Sequence, residues 1–333
     1  MSMRLPELIL ILAVCACPVS AQAPPRDYSL ALPDRKGQLK WSVEGFKIVQ
    51  NSAKPDGREL GLRATGAAGR LTFLGFLFQV TDGPTPLTGA ACGEEAIAQD
   101  KKIDATLKIV ATEVIPRPDG LPVALFAYTT AKRDGSITHR VRGFVATGDL
   151  CGDLEFSSAN PLSAGDADVR TAFLSFQLDP TYVPQFADEI LYAQVLYDEH
   201  EYRAAAPIFE KALAMVPPNG APFNSALLAR RVVRDQAGMS YGISGDLAKA
   251  RSLFENGVAE DPDYPLNYYN LACADADEKN LANAKVHLRQ AFDRKDKMNP
   301  GEAMPVPTQD DSFLPYKTNQ EFWTFLKQLE SGK

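Results

Sequence analysis

Hydrophobic and polar positions follow two different rules in the two halves of this chain. From about residue 186 to 297 apolar residues recur at helical spacing, and small residues recur with them in fixed register. Ala193, Leu196, Ala205, Phe209, Ala212 and Pro217 superpose on Gly238, Tyr241, Ala250, Phe254, Gly257 and Pro262 with identical internal spacings. A third set, Ala272, Asp275, Ala284, Leu288 and Ala291, lies 34 residues past the second. Each copy predicts two helices joined by a tight turn. Small residues sit where the paired helices approach, large ones fill the space between hairpins, and a proline ends the second helix. Unrelated amphipathic helices would share the apolar period but not the small residues or the closing prolines. The pattern sets the copies at 186–219, 231–264 and 265–298.

Residues 27–180 instead read as short extended runs around two helices. Trp41 to Val49 alternates loosely, Asn51 to Gly57 is turn-rich, and Leu60 to Ala64 is extended again. Leu71 to Phe78, bounded by glycines, suits a buried strand that ends at Gly83-Pro84-Thr85-Pro86. Helix formers follow from near Thr88, with Thr88 or Gly89 as the cap. Extended runs return at Leu107–Ile115, Pro122–Thr130 and Ile137–Ala146. Leu150, Gly152, Leu154 and Phe156 then face one way, with Asp153, Glu155 and Ser157 opposite, as in a strand with one solvated face. Asp168 to Phe176 reads as a second helix. Strands, helix, strands, helix predict an α+β domain with an antiparallel sheet.

The C-terminal pattern resembles the tetratricopeptide repeat, with its 34-residue period and small-aromatic-small-aromatic-proline order. Four departures stand out. Pro207 falls early in a second helix and should bend it or delay its start. Glu189 stands where the family usually opens with an aromatic. Eleven extra residues separate copies one and two, lengthening a loop or the next helix. Copy three has Asp275 in an aromatic position and no closing proline, which puts its packing in question. Beyond a linker at Met304–Asp311, Phe313-Leu314-Pro315-Tyr316 and the apolar stripe Phe322, Phe325, Leu326 and Leu329 predict a capping helix over 310–331. The N-terminal half resembles the PsbP/Mog1-like fold. That resemblance rests on the Trp41 strand, the Leu71–Phe78 strand, a helix near Cys92, Arg140-Val141-Arg142-Gly143-Phe144, the strand Leu150–Ser157 and a trailing helix.

Resemblance to the tetratricopeptide family implies a concave groove lined by the first helix of each hairpin. Its positions correspond to Ile190, Gln194, Tyr197 and Asp198, then Asp235, Met239 and Gly242, then Tyr269, Cys273, Ala276 and Asp277. Members that clamp a C-terminal carboxylate use cations and asparagines. The matching positions here hold Ile190, Gln194, Gln236, Leu266 and Asn270, with no cation, so that clamp is absent. An apolar and acidic groove suits a basic or amphipathic peptide. The alternative is that the repeats merely dock on the N-terminal domain.

Charge and cysteines narrow the setting. Arg4, the apolar run Leu8–Val14 and the small residues Val19, Ser20 and Ala21 read as a signal peptide over 1–21, with a mature start at Gln22 and a competing cut after Ala23. Val14-Cys15-Ala16-Cys17 also offers a loose lipidation site at Cys17. No later stretch is apolar enough for a membrane span, which needs about 20 residues. A formal charge of −7 without basic runs argues against nucleic acid. In an oxidising compartment Cys92 and Cys151 are the natural disulfide pair, a bridge good for roughly 3–5 kcal/mol. Cys273 then behaves as a small buried hydrophobe. No zinc spacing, phosphate loop or nucleophile elbow is present, so no cofactor, metal or catalytic residue is expected. His139 reads as an exposed strand residue, and Asp149, Asp153 and Glu155 as a solvated strand face. The leading expectation is an exported, non-enzymatic protein of the cell envelope that engages a protein partner. The alternative is a small-ligand carrier or hydrolase-type enzyme in the N-terminal domain, with the repeats recruiting partners.

Overall fold

The computed structural model describes residues 27–66, 69–81, 87–117 and 121–332; the expected signal peptide, the Gln22 start, Cys17 and Gly83–Pro86 lie outside these. Two sheets form the N-terminal half. The larger is antiparallel, in the order β3 (Phe46–Ala53), β4 (Glu59–Gly66), β5 (Leu71–Gln79), β9 (Leu150–Ser158), β8 (Ile137–Thr147), β7 (Val123–Ala131), β6 (Lys108–Ile115). The smaller joins β1 (Asp27–Ala31), β2 (Gln38–Ser42) and β10 (Gln177–Asp179). The short strands β1 and β10 were not expected, although Asp27-Tyr28-Ser29-Leu30 alternates polar and apolar positions. The stretch Asn51–Ala53, expected in a turn, continues β3.

The strand period of two sorts the residues of the large sheet onto two faces. On one, Phe73, Leu77, Val141, Val145, Leu154 and Phe156 meet the small sheet and the helix α2 (Ala167–Ser175). Rings dominate this core: Phe73 is edge-on to Tyr28 at 5.0 Å and to Trp41 at 5.8 Å. Gly75 is required there, since a Cβ would lie 2.6 Å from the Trp41 ring. On the other face lies α1 (Gly89–Ile103), packed over β7 and β8 and capped by the Thr88 hydroxyl, which accepts from the Ala91 N–H at 3.1 Å. Cys92 of α1 and Cys151 of β9 are joined as a disulfide. Both edge strands carry a bulge, at Ile48–Gln50 in β3 and Ile109–Ala111 in β6, which leaves Val49 and Val110 exposed. Bulges of this kind interrupt the edge as a template for further strands.

The C-terminal half is three hairpins: α3 (Phe186–Asp198) with α4 (Tyr202–Ala214), α5 (Ala226–Ile243) with α6 (Leu247–Glu260), and α7 (Pro265–Asp277) with α8 (Leu281–Phe292). The template residues are the contact residues. Ala193, Ala205, Ala212, Ala250, Ala272, Ala284 and Ala291 are buried. A Cβ on Gly238 would lie 2.3 Å from the Phe254 ring, so glycine there lets the second hairpin close. Pro207 does not delay its helix, which begins at Tyr202 with Pro207 inside it. The extra residues before the second hairpin serve both expected ends: a turn-rich loop at 215–225 and an α5 of 18 residues against 13 for α3.

Ion pairs replace the missing aromatics. Asp275, 1% exposed, accepts from Arg251 at 2.8 Å and meets His287 Nδ1 at 2.6 Å. Glu189, also 1% exposed, is held by Lys211 at 2.6 Å. The helix α9 (Gln320–Ser331) ends the chain, and with Phe313 its residues Phe322, Phe325 and Leu326 bury the outer side of the third hairpin. One continuous apolar cluster runs from Tyr28 through the sheets into α3–α6. The array is therefore docked on the sheet domain. Tyr192 donates to the Lys54 and Glu59 carbonyls at 2.7 and 2.8 Å, and Lys211 also bonds Asp34 at 2.6 Å.

Candidate functional site

The first helices of the hairpins, α3, α5 and α7, carry the expected groove residues, and side-chain amides link them. Gln236 of α5 donates to Gln194 of α3, which donates to Asp198 at 2.7 Å. Asn270 of α7 donates to Asp235 of α5 at 2.6 Å. Neither link was read from the sequence, although Gln194, Gln236 and Asn270 all stood at the positions compared with the carboxylate clamp. Burial pushes the Asp235 carboxyl up to about 7, against the opposing pull of the Asn270 hydrogen bond. Tyr197 is half-buried, edge-on to Tyr202 at 5.1 Å and to Phe209 at 6.1 Å. Ile190 and Met239 are partly buried against the core, while Asp198 is exposed. The arrangement offers amide donors and acceptors, carboxylates and part-exposed apolar side chains. It holds no cation at the clamp positions.

The third hairpin departs from the expected groove. Tyr269, assigned there to an open surface, is 2% exposed because the chain's own segment 299–316 lies along α7. The Tyr269 hydroxyl donates to Asp310 at 3.0 Å, and its ring stands edge-on to Phe313 at 6.0 Å. Upstream, Asn299 and Glu302 bond the Tyr264 hydroxyl; downstream, the Tyr316 hydroxyl donates to the Ala276 carbonyl at 2.5 Å. Asp277 remains exposed. Cys273 is part-buried, its sulfur 4.0 Å from the Asp310 carboxylate, and burial raises its thiol pKa well above the ordinary range. Residues 304–311, expected as a linker, have no apolar period, so the pattern that found the hairpins could not seat them on α7; the capping helix expected over 310–331 begins only at Gln320, with Phe313–Tyr316 in turns before it.

Chemistry in the sheet domain also differs from expectation. Asp153 and Glu155 do not lie on a solvated face: they are 1% and 5% exposed, because β8 sets arginines beside them and α1 closes over. Arg142 grips Asp153 through two nitrogens and reaches Asp100 of α1 at 2.6 Å. Arg140 and the Tyr128 hydroxyl both donate to Glu155. Burial lifts the Asp153 carboxyl to about 6, with Arg142 opposing. His139 is half-buried on β8, in register with Thr129 and Ser158 and with no acid–base partner among the described residues. Among the described residues no group of histidine, cysteine and carboxylate side chains has the arrangement of a metal site, and no helix is long and apolar enough to cross a membrane.

Fold and site together define a two-part protein: an antiparallel-sheet domain followed by an array of three helix hairpins. No family model matches the chain, and no curated protein does. Solved structures similar to the array include YrrB, a TPR protein with an unusual peptide-binding site, at 21% identity over 34% of this chain and a TM-score of 0.29. The match spans 53% of YrrB, about half its length. The Sgt2 TPR domain from Aspergillus fumigatus matches at 16% identity over 45% of this chain and 80% of its own, with a TM-score of 0.30. MamA matches at 12% identity over 44% of this chain and 77% of its own, with a TM-score of 0.32.

Proposed function

We propose that this is an exported, non-enzymatic protein of the cell envelope, which holds a polypeptide partner on the concave side of its first two hairpins. The observation that carries the reading is the part-exposed row of Tyr197, Asp198, Asp235 and Met239 beside the Gln194–Gln236 amide pair. Apolar contact, carboxylates and backbone-compatible amides suit a basic amphipathic segment. On α7, Tyr269 is closed to a partner by segment 299–316, while Asp277 stays exposed. The sheet domain, read as PsbP/Mog1-like from its order of strands and helices, supplies a rigid mount for the array and a second surface for assembly. Export is supported by the disulfide, a bond that persists in oxidising compartments. Residues 1–21 would be the signal peptide, with Cys17 lipidation as the alternative processing route.

Crosslinking and affinity capture from the native cell envelope, followed by repeat capture with Tyr197→Ala/Met239→Ala, tests the groove. Loss of a specific partner from the double variant is expected. Full retention of every partner would remove the groove from consideration.

A further inference from the structure

The face of the large sheet that carries α1 is only half covered. The helix lies over β7, β8 and the Cys151 end of β9, and β3, β4, β5 and the Ser157 end of β9 leave a concavity of about 380 Å³. That volume lies in the range of small-molecule pockets, about 300–1,000 Å³.

Strand register shows what converges there. One row across the sheet reads Gln50, Arg63, Leu74, Glu155; the next reads Thr65, Thr72, Ser157, Arg140. Ser52 and Phe76 flank the first row through Gly61, whose missing side chain leaves room for the Phe76 ring: a Cβ would lie 2.4 Å from it. Leu74 and Phe76 form a part-exposed apolar floor. Among the described residues Gln50, Ser52, Arg63, Thr72 and Ser157 make no side-chain hydrogen bond, although all of them border one space.

The two arginines differ in a useful way. Arg63 is exposed and has no carboxylate partner among the described residues. Arg140 is held from behind by Glu155, and its buried Nε has no partner. Glu155 in turn is fixed by the Tyr128 hydroxyl. Three interstrand steps of about 4.8 Å and a two-residue offset of about 7 Å along the strands set the two roughly 16 Å apart at the backbone, so side chains extending about 6 Å each can close on one small group between them. Glu155 is buried behind Arg140, so it offers little competing negative charge to the space. In a chain of net charge −7 this is a local cationic site with an apolar floor.

We propose that this concavity binds a small organic anion, its carboxylate or phosphate between Arg63 and Arg140 and its apolar body on Leu74 and Phe76. The site lies on the sheet domain, apart from the helical groove, so the two readings stand or fall separately.

Amide NMR titration of the full chain with benzoate, phenyl phosphate and the neutral benzyl alcohol tests it. Saturable shifts at Gln50, Thr72 and Ser157 with at least one anion, at least tenfold tighter than with benzyl alcohol, are expected; the tighter anion assigns the headgroup. Arg63→Gln, at an exposed position, should weaken anion binding tenfold or more with an otherwise unchanged spectrum. Arg140→Lys, which keeps a cation on Glu155, should weaken it less. Equal binding of benzyl alcohol, shifts without saturation, no binding of either anion, or undiminished affinity in Arg63→Gln would each overturn the proposal.

Discussion

The Tyr192 hydroxyl, at the buried centre of α3, donates to the Lys54 carbonyl at 2.7 Å and so fastens the helical array to the β3–β4 turn. The same oxygen serves Glu59, which closes that turn, and the surrounding apolar cluster is continuous between the halves. Sheet and array are therefore expected to unfold in one transition. Tyr192→Phe should cost about 1 kcal/mol, the net worth of a hydrogen bond, and Tyr192→Ala about 3–5 kcal/mol from lost packing. Urea denaturation followed by far-ultraviolet circular dichroism measures both. An unshifted midpoint for Tyr192→Ala would refute the docking.

Arg142 and Asp153 form a buried pair in which each residue makes the other tolerable. Arg142→Met leaves a carboxylate without its cation and should cost about 3–5 kcal/mol. Arg142→Met/Asp153→Leu should recover much of that loss, because no charge is left stranded. A double-mutant cycle by chemical denaturation checks this; strict additivity of the two single effects would count against it.

Acidity at Asp235 gives a pH signature. Its folded pKa, about 7, lies above the ordinary carboxylate value, so the folded state holds the proton longer than the unfolded state. The resulting stabilisation is complete below about pH 4 and is lost as pH rises through 7. Asp235→Asn keeps an oxygen for the Asn270 amide and removes the titration. The variant should gain on the order of 1–2 kcal/mol over the parent at pH 8, the full linkage being discounted for partial exposure, and little at pH 4. Thermal melts at both pH values provide the measurement, and a parallel pH slope in the two proteins would sink the assignment.

Cys92 and Cys151 close a loop with a sequence separation of 59, and chain-entropy reasoning assigns such a crosslink about 4 kcal/mol. Cys92→Ala/Cys151→Ala should lower stability by about 2–4 kcal/mol. Its stability should also become indifferent to reductant, whereas the parent should be weakened by it. Guanidinium melts with and without dithiothreitol decide the matter. A parent insensitive to reduction would show that the bridge adds nothing.

The hairpins were legible because their signal is local. Ala193, Ala205, Gly238 and Ala272 are small for a reason visible within one 34-residue period: another helix passes against each of them. Most strands were equally readable from short apolar runs. What escaped depends on register. Asp153 and Glu155 alternate with Leu154 and Phe156 as a solvated face would, and only the β8–β9 pairing reveals Arg142 and Arg140 next to them. Tyr269 occupies the right helical position for a groove, yet an irregular segment some forty residues later lies over it. The open row on α3 and α5 was partly visible through Gln194, Asp198 and Asp235; the amide link from Gln236 requires the hairpins to be stacked.

The seating of residues 299–316 on α7 also fixes the size of the assembly within one chain. A fourth hairpin would need the surface that Phe313 and α9 already bury. Lengthening the array at that end would first require displacing the segment, whereas the irregular loop at 215–225 already tolerates added residues between hairpins. Growth of the array on this side is thus set against contacts the chain already makes with itself, not against open solvent.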